Sequence, residues 1–179
     1  MFKFFVTLSV FVIGLAAFSF EANAETMTDE IPSEYQSVLA SFHESIKDGP
    51  IINSEFFLYD ITGDDFPELW ISVGPSEAET QLLAYTIVNG GPVKIFEGEG
   101  GDSDYFVYND RLIGVMCNSG EGVVITYGYD GKTVTESPIQ FSMWNEDGKP
   151  LSTPHDPVAD EILLNWNNKL VNRIKSMRL

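Results

Sequence analysis

The sequence predicts an α+β fold: an N-terminal helix, an antiparallel meander sheet of seven to nine strands, and a C-terminal amphipathic helix. Apolar residues recur at steps of three and four near residues 35–46 and again after residue 157, which is the helical period. Between these segments, Gly and Asn/Asp-Gly signals separate short runs rich in β-branched and aromatic residues. Such runs joined by tight turns predict neighbouring antiparallel strands, and a blade-like sheet is one option.

Residues 1–24 have the form of a signal peptide that is cleaved on export. Met1-Phe2-Lys3 gives a basic start, Phe4 to Phe20 is mainly apolar, and Ala22-Asn23-Ala24 has the small-x-small form of a signal peptidase site. We therefore expect one exported domain over residues 25–179, periplasmic or extracellular, with no membrane span after cleavage. Its length of about 155 residues suits a single domain.

The first helix is predicted to begin at Ser33, because Ser33 and Gln36 have the spacing of a capping box. One apolar stripe then follows the helical period, formed by Tyr35, Val38, Leu39, Phe42 and Ile46. Asp48-Gly49-Pro50 should end this helix, since Gly permits a left-handed cap and Pro cannot continue the helix.

Nine β-rich runs follow, at residues 55–60, 68–73, 82–88, 93–97, 104–108, 111–117, 122–129, 133–136 and 139–144. Tight turns separate pairs of these runs at Asn89-Gly90-Gly91, Asn109-Asp110 and Asp130-Gly131. The turns lie 20 and 21 residues apart, which is a weak internal period of one hairpin per repeat. The chain is too short for a closed propeller of several four-stranded blades, so a single meandering sheet is predicted.

The second helix is predicted to begin after Asp156, with Pro157 in its first turn. Its apolar stripe is formed by Val158, Ile162, Leu163, Trp166, Leu170, Ile174 and Met177. Four basic residues gather near its expected C-terminal end: Lys169, Arg173, Lys175 and Arg178. The helix dipole favours positive charge there, and a basic docking face is the alternative interpretation.

The chain is strongly acidic, with a formal net charge of −17 at pH 7. Loss of residues 1–24 would remove one base, Lys3, and one acid, Glu21, so the mature charge would be the same. Residues 48–110 contain 13 acidic residues against a single base, Lys94. This excess argues against nucleic acid and anionic membranes as partners, because phosphates require Lys and Arg. It fits a basic partner, a divalent cation or simple solubility.

One acidic segment between two apolar runs has the spacing of a calcium loop. With Asp60 as position 1, side-chain oxygens follow at position 3 in Thr62 and at position 5 in Asp64. The main-chain carbonyl of Phe66 falls at position 7 and Glu68 at position 9. Hard oxygen donors that converge from alternate positions suit Ca²⁺, which accepts six to eight of them. An EF-hand is disfavoured, because its position 12 requires Glu and the chain has Ile71 there.

The segment Asp60-Ile61-Thr62-Gly63-Asp64-Asp65-Phe66-Pro67-Glu68-Leu69 resembles the D-x-D-G-D-G-x-x-D/E-L loops of FG-GAP and VCBS-type repeats. It resembles still more the D-x-D-G-D-G-x-P-E-L segment of small exported bacterial proteins of unassigned function. The resemblance implies a strand–loop–strand unit, often a calcium loop, in an extracytoplasmic β-rich domain, and it implies no activity. Two positions depart from the pattern: Thr62 replaces Asp or Asn, and Asp65 replaces a Gly that normally has a positive φ.

Three hypotheses for function follow. The first is a non-catalytic exported binding module with an acidic calcium-type loop and an unknown protein or glycan partner, a basic protein being one option. The second is an acidic inhibitor or immunity-like protein that binds a basic protein. The third is a small hydrolase that uses the acidic loop, although no G-x-S-x-G, P-loop, H-E-x-x-H or G-x-G-x-x-G motif occurs. A metal-free turn, whose acids accept hydrogen bonds from the loop's own amides, is the alternative to a calcium loop.

Overall fold

The computed structural model describes residues 31–47, 53–76, 79–101, 103–143, 150–171 and 173–178. These residues contain ten strands in two antiparallel sheets of five, together with two short helices. The predicted signal peptide and the helix end at Asp48-Gly49-Pro50 lie outside them. None of the described helices combines the length and the apolar character that crossing a membrane requires.

The first sheet has the strand order β10-β1-β2-β3-β4. Its strands are β1 (Asn53–Tyr59), β2 (Glu68–Gly74), β3 (Gln81–Val88), β4 (Gly91–Glu99) and β10 (Met177–Arg178). The helix α1 (Gln36–Lys47) precedes it, after a single 3₁₀ turn at Ser33–Tyr35.

The second sheet has the strand order β5-β6-β7-β8-β9. Its strands are β5 (Ser103–Tyr108), β6 (Arg111–Asn118), β7 (Glu121–Tyr129), β8 (Val134–Ser142) and β9 (Leu151–Thr153). The helix α2 (Pro157–Asn167) follows this sheet.

Antiparallel hairpins between two helices are confirmed, but they form two sheets and not the single sheet of seven to nine strands that the sequence predicts. The described residues are mostly β structure, so the α+β class describes the fold only loosely. The chain leaves the first sheet after β4, where the N–H groups of Gly100 and Gly101 donate to the carbonyl of Thr80 at 2.8 and 3.3 Å. No hairpin joins β4 to β5, and the second sheet begins there.

Two sheets form because the central strands are apolar on both faces. In β2, the consecutive residues Leu69, Trp70 and Ile71 are all fully buried, although neighbouring side chains of a strand point to opposite faces. A sheet with two apolar faces needs cover on both of them, and a second sheet and a helix supply it.

The apolar residues form three clusters that define four layers. The cluster between the sheets joins Phe57, Trp70 and Leu82 of the first sheet to Leu112, Ile125 and Tyr127 of the second. The cluster on the outer face of the first sheet includes Tyr35 and Val38 from the first helical segment. The cluster on the outer face of the second sheet includes Ala159, Ile162 and Leu163 from α2. The order of the layers is therefore helix, sheet, sheet, helix.

The start of the first helix differs from the prediction, while its buried face agrees with it. Ser33 lies within the 3₁₀ turn, and its hydroxyl donates to Glu34 and caps no backbone N–H. Tyr35 and Val38 are buried as the apolar stripe predicts.

The second helix begins as predicted and ends earlier. It stops at Asn167, and Lys169 has a φ of 56°, which ends the helical conformation. Ile174 and Met177 therefore do not extend its apolar stripe, and the basic residues from Lys169 onward do not lie on the helix. The prediction of a long amphipathic helix through Met177 is wrong in this part.

The residues after α2 instead close one side of the sandwich. The N–H of Ile174 donates to the carbonyl of Tyr105 in β5 at 2.8 Å, and Met177 pairs with Phe56 in β1. Without these residues, β5 and β1 would each be an edge strand with unpaired backbone N–H and C=O groups. Hydrogen bonds from the residues after α2 satisfy some of these groups.

The predicted runs 133–136 and 139–144 are a single strand, β8, in the described residues. Pro138 lies within it and pairs with Ile125 of β7. A proline is tolerated because β9 reaches only residues 140–142, so β8 has an open edge at Pro138.

The N-cap of α2 gives a first testable prediction. The Asp156 carboxylate accepts hydrogen bonds from the N–H groups of Val158 and Ala159, both at 2.9 Å. Replacement by alanine should lower the free energy of unfolding by about 1 kcal/mol, measured by urea denaturation. Asp156→Asn is the matched control and should retain the stability, because Asn caps helices equally well. Equal losses in both variants would contradict a capping role.

Candidate metal centre

The acidic loop joins β1 to β2. The strand residues at its two ends, Tyr59 and Glu68, are paired with each other in the sheet. Two residues in the loop have left-handed backbone conformations, Gly63 with a φ of 75° and Asp65 with a φ of 65°. The sequence predicts this for Asp65, because the loops that this segment resembles have Gly at that position. Asp tolerates this conformation better than most residues do.

Asp60 organises the turn through its carboxylate. Its Oδ1 accepts a hydrogen bond from the N–H of Gly63 at 2.7 Å, and its Oδ2 accepts one from the N–H of Asp65 at 2.9 Å. Asp64 acts similarly. Its Oδ1 accepts a hydrogen bond from the N–H of Phe66, two residues further along the chain, at 3.0 Å. These bonds within the loop are those expected of acidic residues in turns.

Glu68 is the first residue of β2 and is fully buried. Its Oε2 accepts a hydrogen bond from the N–H of Ile61 at 2.9 Å, and its Oε1 accepts one from the Thr86 hydroxyl at 3.0 Å. Burial raises the pKa of Glu68, and the negative charge of Asp60 acts in the same direction, while these hydrogen bonds act against it. The net direction is upward, because removal from water disfavours the ionised form more than the bonds favour it.

Three carboxylates of the loop converge on one point. One oxygen from each of Asp60, Asp64 and Glu68 lies within 4.8 Å of the other two. The Thr62 hydroxyl lies 3.4 Å from Asp60 Oδ1 and 3.3 Å from Glu68 Oε1, so it can donate to one of them. The structure thus brings together four of the five residues that the sequence predicts as ligands.

Phe66 is the fifth predicted ligand, and its main chain borders the cluster through the hydrogen bond to Asp64. Its ring packs against Tyr35, with 6.3 Å between the ring centroids. Asp65 supplies its backbone N–H to Asp60, and its side chain is exposed and outside the group of converging oxygens.

The chemistry of this donor set fits a hard divalent cation. A carboxylate has about four lone-pair sites. The Asp60 carboxylate accepts from three backbone amides, and the Glu68 carboxylate accepts from two backbone amides and the Thr86 hydroxyl. About one site is therefore left on each of them for a metal or for the Thr62 hydroxyl. Three negative charges this close repel one another, and a cation would remove that repulsion. Ca²⁺ takes six to eight oxygens, and main-chain carbonyls and water commonly complete such a set.

Two residues that support the loop are not indicated by the sequence pattern. Thr86 lies in β3 and reaches Glu68 across the sheet. The Tyr35 hydroxyl lies 3.1 Å from the carbonyl of Pro67 and 3.0 Å from that of Tyr85, so it joins the first helical segment to the end of the loop. The sequence pattern predicts Tyr35 only as part of an apolar stripe, and nothing in it relates Thr86 to residue 68.

Comparison with known proteins adds no relatives. No family model, no curated protein and no solved structure matches this chain. The resemblance of residues 60–69 to FG-GAP and VCBS-type loops therefore stays a prediction from the sequence.

Proposed function

We propose that this protein is an exported, non-catalytic binding module whose loop at residues 60–68 holds Ca²⁺. The ligands would be the side chains of Asp60, Thr62, Asp64 and Glu68 and the main-chain carbonyl of Phe66. The observation that carries this proposal is the convergence of three carboxylates, one of them fully buried, within 4.8 Å.

The buried position of Glu68 favours a cation site over a metal-free turn. Asp60 and Asp64 can satisfy backbone amides at the surface, as any turn acid can. Glu68, by contrast, is fully buried beside the Asp60 carboxylate, and burial raises its pKa. A bound Ca²⁺ would neutralise this repulsion and join the end of β1 to the start of β2.

The same burial favours binding over catalysis. Glycoside hydrolysis would require a carboxylic acid that contacts the leaving group and a second carboxylate opposite it. Burial raises the pKa of Glu68, as a general acid would need, but this side chain has no exposed surface through which to contact a substrate. A role for Glu68 in holding the loop is the simpler assignment, and it supports the non-catalytic hypothesis over the hydrolase.

The predicted location also supports the proposal. If residues 1–24 direct export, the domain functions where free Ca²⁺ is abundant, and affinities of extracellular calcium modules are correspondingly weak, about 10⁻⁴–10⁻³ M. A basic protein partner remains the alternative use of the acidic surface.

Calcium titration followed by thermal melting tests the proposal. At free Ca²⁺ about 100-fold above Kd, the protein should gain about 2.7 kcal/mol. For a domain of this size, that gain raises Tm by about 5–10 °C over the value in EDTA. Mg²⁺ should stabilise less, because it requires a near-ideal octahedral site and gives up water reluctantly.

Two loop variants provide the matched comparison. Asp60→Asn should lose most of the Ca²⁺ effect, because it removes one converging carboxylate. Asp65→Asn removes the same charge from the same loop, yet it should keep the effect, since the Asp65 side chain is outside the converging group. Absence of any Ca²⁺ effect in the unmodified protein, or an equal loss in both variants, would rule out the assigned site.

A further inference from the structure

A cleft of about 480 Å³ lies directly beside the acidic loop. Asp60 and Thr62 lie on one side of it, and Asp110, in the turn after β5, and Arg111, the first residue of β6, lie on another. Residues of β7 and β8 complete the far side. Its volume is within the range of about 300–1,000 Å³ that small-molecule sites occupy.

The walls of this cleft are rich in hydroxyl groups. Thr126 belongs to β7, and Thr135 and Ser137 belong to β8. The Thr62 hydroxyl on the loop side is within hydrogen-bond distance of Asp60 and Glu68 and belongs to the candidate metal centre. A hydroxyl both donates and accepts hydrogen bonds, so it is suited to another hydroxyl as its partner. Most small-molecule sites are lined mainly by apolar side chains, and this composition instead favours a polar ligand.

Arg111 adds a strong donor at the same place. It is exposed, and it forms no ion pair with the residues that the structure describes, whereas Arg173 lies 2.8 Å from Asp104. Its guanidinium offers five N–H donors in a rigid fork. Asp110, the residue before Arg111, also lines the cleft and carries a carboxylate acceptor. Donors and acceptors are thus both present at the cleft.

The charges that a bound Ca²⁺ leaves at the cleft favour a neutral polar ligand. Asp60 would be a ligand of the ion, so Asp110 and Arg111 remain, and their charges balance. A neutral ligand with many hydroxyls can donate an O–H group to Asp110 and accept hydrogen bonds from Arg111. Tyr59 contributes a part-buried ring to the wall, held by a 3.3 Å hydrogen bond from its hydroxyl to the carbonyl of Asp110. Such a ring presents an apolar body beside a polar tip.

We infer that this cleft binds a neutral saccharide through Arg111, Asp110 and the surrounding hydroxyls. The inference rests on the proposed function in one respect: Ca²⁺ bound to Asp60 and Thr62 orders the loop side of the cleft. Binding of the saccharide should therefore be stronger with Ca²⁺ than in EDTA.

The test follows amide chemical shifts of the isotope-labelled full chain with three neutral probes: maltotriose, cellotriose and chitotriose. With Ca²⁺ present, at least one probe should shift the signals of residues 109–111 and 126–128. Arg111→Ala should weaken this binding about tenfold or more, because a hydrogen bond to a charged group contributes at least about 1.5 kcal/mol and about 1.4 kcal/mol is tenfold in Kd. Arg173→Ala removes a guanidinium that lies outside this cleft and should leave the affinity unchanged.

The melting temperature of each variant shows whether it is folded, and Arg111→Gln is a second variant if Arg111→Ala is unstable. No shift with any neutral probe would overturn the inference, as would binding confined to trigalacturonate or to a lysine-rich peptide. If Ca²⁺ stabilises the protein and no neutral probe binds, the saccharide inference fails and the proposed function stands. If a neutral probe binds and Ca²⁺ has no effect on melting, the saccharide site stands and the calcium site fails.

Discussion

Trp70→Ala is expected to lower the free energy of unfolding by about 3–5 kcal/mol, the usual result of removing a buried large aromatic. Trp70 is fully buried between the sheets. Its ring is stacked on Phe57 at a centroid distance of 5.8 Å and meets Tyr127 of the second sheet edge-on at 5.7 Å. The substitution therefore removes a large side chain that packs against aromatic rings of both sheets, and it leaves a cavity between them.

Trp70→Phe separates packing from hydrogen bonding. The indole N–H of Trp70 donates to the carbonyl of Tyr59 at 3.3 Å, immediately before the acidic loop. Phenylalanine keeps an aromatic ring and loses this donor, so its loss of stability should be intermediate. Urea denaturation followed by circular dichroism measures both variants. A loss below about 1 kcal/mol for Trp70→Ala would contradict the central position assigned to this side chain.

Glu68→Gln is expected to abolish stabilisation by Ca²⁺, a loss of about 2.7 kcal/mol at free Ca²⁺ 100-fold above Kd. The pH dependence of stability in the metal-free protein tests the burial of Glu68 independently of Ca²⁺. Burial raises the pKa of Glu68, so the folded protein holds this proton more tightly than the unfolded chain does. In EDTA, this residue's contribution to stability should therefore fall as pH rises from the ordinary carboxylate pKa through the raised one.

Ca²⁺ should oppose that trend, because it binds the ionised carboxylate. Melting curves in EDTA and in Ca²⁺, from about pH 4 to neutrality, measure both effects. Glu68→Gln should lose the Ca²⁺ effect and the part of the pH dependence that Glu68 causes. A Ca²⁺ effect that survives in this variant would exclude Glu68 as a ligand.

Glu136→Gln is the matched control for this experiment. Partial desolvation raises the pKa of Glu136 too, although its side chain is exposed, and the charge of Glu99 adds to the effect. Glu136 lies in β8 and is not one of the converging carboxylates. Its variant should change the pH dependence in EDTA and keep the full response to Ca²⁺.

The features that follow from short segments could be predicted from the sequence. The apolar period identifies α1, and Asp156-Pro157 identifies the start of α2, because capping depends on residues two or three positions away. The acidic loop belongs to the same class. Its donors lie within nine residues, and the left-handed conformation of Asp65 follows from its place in the loop.

The sequence by itself therefore determined the buried face of the first helix, the start of the second, most of the strands and the residues of the acidic loop, since each depends on neighbouring positions. Tertiary structure alone decided that the strands divide into two sheets, that Met177 and Arg178 pair with β1, and that the buried Glu68 accepts a hydrogen bond from Thr86. It also brought Arg111 to the same cleft as the loop. These features depend on which apolar faces and strand edges cover one another, and that choice is made between segments far apart in the chain, where local spacing carries no information.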